Sequence, residues 1–236
     1  MSDLIQPHGG KLMSLMDSPQ EIEKIRQISS KLKSCTLTPR QMCDLELLMN
    51  GGFSPLMGFM GKNDYDSVVT NMRLVNNIIW SIPIILDVSE DFASKVKTGR
   101  QLALRDEEGV LLAVLDVNDI WTPNKQKEAI EVYGTKSTEH PGVDQLFNFT
   151  EKVYIGGKIT GIEMPCHFDF RLIRNTPEEL RTQFNKLGWS KIVAFQTRNP
   201  MHRAHREITV RASKELGADL LVHPVVGMTK PGDVDH

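Results

Sequence analysis

Between residues 191 and 226 an apolar run, an amphipathic stretch and a second apolar run follow one another, and few folds accept that order. Ile192-Val193-Ala194-Phe195 is short and rich in β-branched residues, the pattern of a buried strand. Pro200 then predicts a helix running to about residue 216, because the missing proline N–H would be unpaired at the first helical position anyway. Residues 218–226 form the second apolar run. Strand, helix and strand in close succession make a βαβ unit, with parallel strands and a right-handed crossover. Ligands of such sheets sit outside the carboxyl ends of the strands. Gln196-Thr197-Arg198-Asn199 is expected as the turn at one such end, and the loop 227–233 lies at the next. Two separated loops thus converge on one crevice.

The residue types at that crevice suit an anion. His202 and His205 are three apart and share a helix face, beside the free N–H groups and the positive end of the helix. Phosphate-like groups bind such helix starts. Arg198 offers a planar, permanently charged fork that matches tetrahedral oxyanions. Gln196 and Asn199 supply neutral donors, and Thr197 supplies a hydroxyl. Lys230, in a loop between Gly227 and Gly232, can reach phosphate as a point charge. Arg203 and Arg206 point away by helical spacing and are expected on a solvated face, with Glu207 in a local pair. A zinc site needs a third ligand near the two histidines, and none is evident, so no protein-bound metal is predicted. His8 and His140 sit in loops, His167 reads as structural, and His223 reads as a core or near-site residue whose ring is satisfied locally.

Upstream the grammar differs. Thr38-Pro39-Arg40-Gln41 carries an N-cap, a proline at the first helical position and a capping-box Gln, and its helix should stop at Gly51-Gly52. Residues 78–88 read as one β-rich run with an edge or bulge at Pro83. Two hairpins are predicted, one turning at Asp106-Glu107-Glu108-Gly109 and one at Gly156-Gly157. One amphipathic helix near 125–133 interrupts what should be a small β-barrel or another folded β-rich domain. Near residue 170 the pattern changes again: Thr176-Pro177-Glu178-Glu179 starts a helix that Gly188 stops. The expected domains are therefore 1–170 and 171–236.

Composition excludes several classes. A formal net charge of −2 gives no electrostatic pull toward nucleic acid or an anionic membrane. No apolar run approaches the roughly 18 residues of a membrane helix. The first 20 residues hold Asp3, Lys11 and Asp17 and no signal-peptide core. Three widely spaced cysteines (Cys35, Cys43, Cys166) read as reduced thiols of an intracellular protein, cytoplasmic or within an organelle.

Gln-Thr-Arg-Asn-Pro-Met-His-Arg-Ala-His at 196–205 resembles the signature of the ATP sulfurylase (sulfate adenylyltransferase) family. The loop Gly-Met-Thr-Lys-Pro-Gly-Asp at 227–233, the segments 37–41 and 51–56, and Pro7-His8-Gly9-Gly10 resemble further motifs of that family. The resemblance implies an α+β and α/β chain: a PUA-like β-rich N-terminal domain, then a Rossmann-like nucleotidyltransferase α/β domain. It implies ATP and sulfate as substrates, adenylyl sulfate and pyrophosphate as products, and Mg2+ carried as MgATP. This is the first step of sulfate assimilation. By motif position, Thr197, Arg198, Asn199, His202 and His205 would be catalytic. Gln196, Arg198, Asn199 and Lys230 would bind substrate. A homo-oligomer, or a fused or associated kinase domain, is also implied. The family's later Gly-Arg-Asp-His segment is missing, so the α/β domain is expected to be incomplete and its amides from about residue 189 to exchange fast. The other reading is a catalytically inactive binding or assembly module.

Overall fold

The computed structural model describes residues 4–225, so Lys230 and the loop 227–233 lie outside the described residues. Two compact units divide the chain, one over Pro7–Thr176 and one over Pro177–His236 together with the N-terminal Met1–Gln6. No described helix is long and apolar enough to cross a membrane.

In the first unit, α1 (Pro19–Ser29) leads into β1 (Lys33–Thr36) and α2 (Pro39–Met49). The expected capping box starts α2: the Gln41 backbone N–H donates to Thr38 Oγ1 at 3.3 Å, and the Thr38 N–H donates to Gln41 Oε1 at 3.0 Å. Next come β2 (Gly58–Phe59), α3 (Lys62–Asn71), β3 (Leu86–Val88), the single turn α4 (Glu90–Ala93), β4 (Gln101–Arg105) and β5 (Leu111–Trp121). The unit continues through α5 (Lys125–Tyr133), α6 (Pro141–Asp144), a π-helical turn at Gln145–Phe149 and β6 (Val153–Gly161). Strand order is β1-β4-β5-β6-β2, with β3 also on β6; β1 and β4 are parallel and the other pairs antiparallel. The described pairings trace an open path, so the fold is a β-rich sheet domain and not a closed barrel. Leu45, Leu48 and Met49 of α2 share one core with Leu102, Leu115 and Ile155 of the central strands.

Two expectations fail here. Residues 78–85 form no strand: Ile79 makes one isolated bridge with Arg73, and only Leu86–Val88 forms a ladder, on β6. Trp80 and Ile78 instead bond locally, to Met72 and Leu74, and Ile79 and Ile82 face solvent. Pro83 lacks the N–H that a ladder would need there. Gly156-Gly157 is no turn either, because β6 runs unbroken through both. A Cβ on Gly156 would meet Met60 O at 2.2 Å, and one on Gly157 would meet Asp116 O at 2.0 Å. The two glycines therefore admit neighbouring backbone, and the register of β5 shifts opposite them between Val117 and Asp119. The other predicted hairpin forms as expected, with the Val110 N–H on Asp106 Oδ1 at 2.7 Å.

The second unit opens with α7 (Pro177–Leu187), stopped by Gly188 at φ 73°. It continues with β7 (Ile192–Thr197), α8 (Arg203–Leu216) and β8 (Asp219–Pro224). β7 and β8 are parallel, in register from Ile192↔Asp219 to Thr197↔Pro224. The predicted βαβ order is present, but the helix starts three residues later than Pro200 suggests. Thr197 Oγ1 accepts the Asn199 N–H at 3.1 Å and donates to Asn199 O at 2.7 Å. This local side-chain turn competes with helix and holds 198–201 outside it. Gln196 and Thr197, expected in the turn, instead complete the strand.

Candidate functional site

The carboxyl end of β7 and the start of α8 bring the predicted residues of this segment together. His202 is the N-cap of α8, in extended backbone, and its side chain makes no capping bond. His205 is the third helical residue. Their ring centroids lie 3.8 Å apart, tilted by 30°, and the His205 ring also lies 5.3 Å from that of Phe195. The His205 Nδ1 is buried with no hydrogen-bond partner among the described residues. A buried imidazole nitrogen without a partner is costly unless something else completes it.

Charge at the helix start is reversed from the usual. First turns favour Asp and Glu, as Glu178 and Glu179 illustrate on α7. The first turn of α8 has no acidic residue and carries Arg203 and Arg206 instead. Arg203 and Arg206 are exposed, as their spacing predicts, and the free N–H groups and positive helix end favour an external anion. Arg198 and Asn199 are exposed in the turn that leads to the helix, and Thr197 is tied to Asn199. Glu207 is neutralised by Arg211, whose Nε donates to it at 2.6 Å, so it does not oppose the anion.

Gln196 is exposed and points to the sheet face opposite Phe195 and His205, since side chains alternate along a strand. Of the two places expected for His223, the core is not the one it takes: it is exposed on β8, in register with Gln196. The remaining histidines among the described residues have partners nearby. His8 Nε2 lies 2.8 Å from Ile79 O, His140 Nδ1 accepts the Gly142 N–H, and His167 Nε2 lies 2.9 Å from both oxygens of Glu46. Among the described residues no group of three or more His, Cys, Asp or Glu side chains could hold a metal ion.

Two features of the β-rich unit had no sequence signal. A cleft of about 350 Å³ is lined by Gly58, Met60, Gly61, Asn63, Asp119 and Lys158, among others, and of the motif segments only Leu56 reaches it. Glu128 of α5 is buried, accepting bonds from the hydroxyls of Tyr65 at 2.7 Å and Tyr154 at 3.2 Å. Burial pushes its carboxyl up from the usual range, against the two hydroxyl bonds and the Lys125 and Arg40 charges.

Comparison with known proteins agrees with the motifs. Residues 5–164 match the PUA-like domain model, and residues 171–236 match the ATP-sulfurylase model. A sulfate adenylyltransferase of Debaryomyces hansenii is 51% identical over 246 residues, covering 98% of this chain and 46% of the relative. That of Saccharomyces cerevisiae is 49% identical, covering 98% and 45%. A solved structure described as a hexameric APS kinase from Thiobacillus denitrificans superposes with a TM-score of 0.79 at 34% identity, over 98% of this chain and 41% of that one. The chain thus spans just under half the length of the curated relatives it matches. Its helix-start motif, its β-rich unit and these matches agree: the chain belongs to the ATP-sulfurylase family, with a PUA-like domain over residues 5–164 ahead of ATP-sulfurylase sequence from residue 171.

Proposed function

We propose that this chain carries part of a sulfate adenylyltransferase site, in which ATP and sulfate give adenylyl sulfate and pyrophosphate. The observation that carries this reading is the start of α8: uncapped, cationic, and fronted by the stacked pair His202 and His205. In this reading Arg198 and Gln196 hold sulfate, and Thr197, Arg198 and Asn199 form the turn that fixes it. His202 and His205 donate to the phosphates as charge grows on them, with Lys230 reaching in from the second loop. A sulfate oxygen attacks the α-phosphorus in line, a new S–O–P link forms, and the bond to the β-phosphate bridging oxygen breaks. Sulfate is already ionised at neutral pH, so no general base is needed, and catalysis rests on positioning and electrostatics. The first turn of α8 has no carboxylate to hold a metal, which fits a nucleotide that brings its own Mg2+, and that ion would neutralise the leaving pyrophosphate.

The domains in this reading are a β-rich domain over 1–170 and a catalytic α/β domain from 171. A cytoplasmic location suits the free thiols of Cys35, Cys43 and Cys166. Assembly into a homo-oligomer, or alongside a kinase domain, is supported by the likeness to a hexameric APS kinase. Molybdate-dependent release of pyrophosphate from MgATP by the purified chain tests the reading. Molybdate is sulfate-shaped, and its adenylyl product should hydrolyse and pull the reaction forward. Release that is no faster with molybdate than without it, at saturating MgATP, rejects the assignment.

A further inference from the structure

The parallel register of β7 and β8 sets Gln196 beside His223. Register partners on adjacent strands project to the same face, about 4.8 Å apart. Phe195, one residue before Gln196, faces His205 of α8. Gln196 and His223 therefore project together from the opposite face, at the carboxyl ends of both strands, where ligands of parallel sheets sit. Both side chains are exposed, and neither hydrogen-bonds another described residue. Strands of parallel sheets are ordinarily apolar throughout. Leu220, Leu221 and Val222 follow that rule and His223 breaks it, at the one register position where its neighbour is also a polar donor.

We propose that His223 is a further binding residue for the tetrahedral oxyanion, donating a ring N–H to sulfate side by side with the Gln196 amide. This rests on the reading of Gln196 and Arg198 as the sulfate side of the site. Two donors at strand spacing can each take a different oxygen of one oxyanion at ordinary hydrogen-bond length. The neutral ring supplies one N–H for this purpose. His202 and His205 stay on the helix face, so the two histidine sets act on different parts of the reaction: His223 on the nucleophile, the stacked pair on the phosphates. Substitution of His223 should accordingly raise the KM for sulfate and leave that for ATP little changed.

Histidine-ring and side-chain-amide NMR of the 236-residue chain, titrated with sodium sulfate against sodium chloride of equal ionic strength, tests this. The expected result is saturable shifts of the His223 ring and the Gln196 side-chain amide with one shared Kd. His223→Phe should weaken that Kd about tenfold or more, as loss of a hydrogen bond to a charged group does, while His223→Gln, which keeps a donor, stays within a few-fold. Unchanged backbone amide dispersion shows that each variant is folded. A Gln196 amide that responds while the His223 ring does not, or a His223→Phe variant with wild-type Kd, overturns the role of His223 and leaves the sulfate assignment of Gln196 standing. No saturable shift at either residue removes both.

Discussion

His202 and His205 pack ring against ring, centroids 3.8 Å apart, although one only precedes α8 at the N-cap position and the other is already inside it. The stack is possible because the helix begins at Arg203 rather than at Pro200, which leaves His202 in extended backbone. It also leaves the first amides of α8 without a side-chain cap, so the two rings border an open helix terminus.

Loss of either ring should therefore act on turnover. His202→Ala and His205→Ala are each expected to lower kcat for pyrophosphate release by about 10²–10³ and to change the KM for ATP far less. His205→Phe keeps the contact with Phe195 and should stay as stable as the parent while losing the same turnover. A variant with raised KM and normal kcat would instead assign the rings to ground-state phosphate binding.

Arg198→Lys keeps the charge but loses the planar fork. Because Arg198 is exposed, the urea midpoint should not move, while molybdate-dependent pyrophosphate release should fall by about 10²-fold. Near-normal release by the Lys variant would show that Arg198 is not the oxyanion clamp.

One guanidinium serves two carboxylates in the β-rich unit: Arg40 donates to Asp44 at 2.9 Å and to Asp87 at 2.8 Å. Burial, helped by the Asp87 charge, outweighs the Arg40 charge and pushes the Asp44 carboxyl up to about 6. A folded-state value above the unfolded one means the native state binds the extra proton. The associated stability is present below the unfolded value and is lost as pH rises through about 6. Between pH 4 and pH 7 the unfolding free energy of the parent, relative to Asp44→Asn, should fall by about 2 kcal/mol. Urea titrations at both pH values measure this, and a pH-independent difference, or one of opposite sign, contradicts it.

Gly157→Ala would place a Cβ 2.0 Å from the carbonyl oxygen of Asp116, which is backbone and cannot step aside. A loss of about 3 kcal/mol or more is expected in urea unfolding, from overpacking in the sheet. A loss below 1 kcal/mol would mean that β5 and β6 can part there without cost.

Signals that act within a few residues were legible in the sequence. Thr38 and Gln41 write the capping box of α2, Asp106 and Gly109 write the β4–β5 turn, and Gly188 writes the end of α7, because each depends only on its own backbone and nearest neighbours. The same holds for the order β7-α8-β8 and for the motif 196–205, which were readable as alternating apolar and polar stretches. Tertiary structure decided what distant segments do to one another. Gly156-Gly157 looks like a turn in isolation and becomes the middle of β6 because the backbones of Met60 and Asp116 close on it. β1 lies parallel to β4, some seventy residues away, a pairing that no local pattern encodes. Glu128 carries no local signal that sets it apart within its helix, yet it is buried and accepts bonds from the hydroxyls of Tyr65 and Tyr154. His223 reads as either a core or a near-site residue within an apolar run, and only the register that sets it beside Gln196 decides between the two. Periodicity and caps are properties of a few consecutive residues, whereas register, close backbone approach and burial of a charge arise only when segments far apart in the chain are brought into contact.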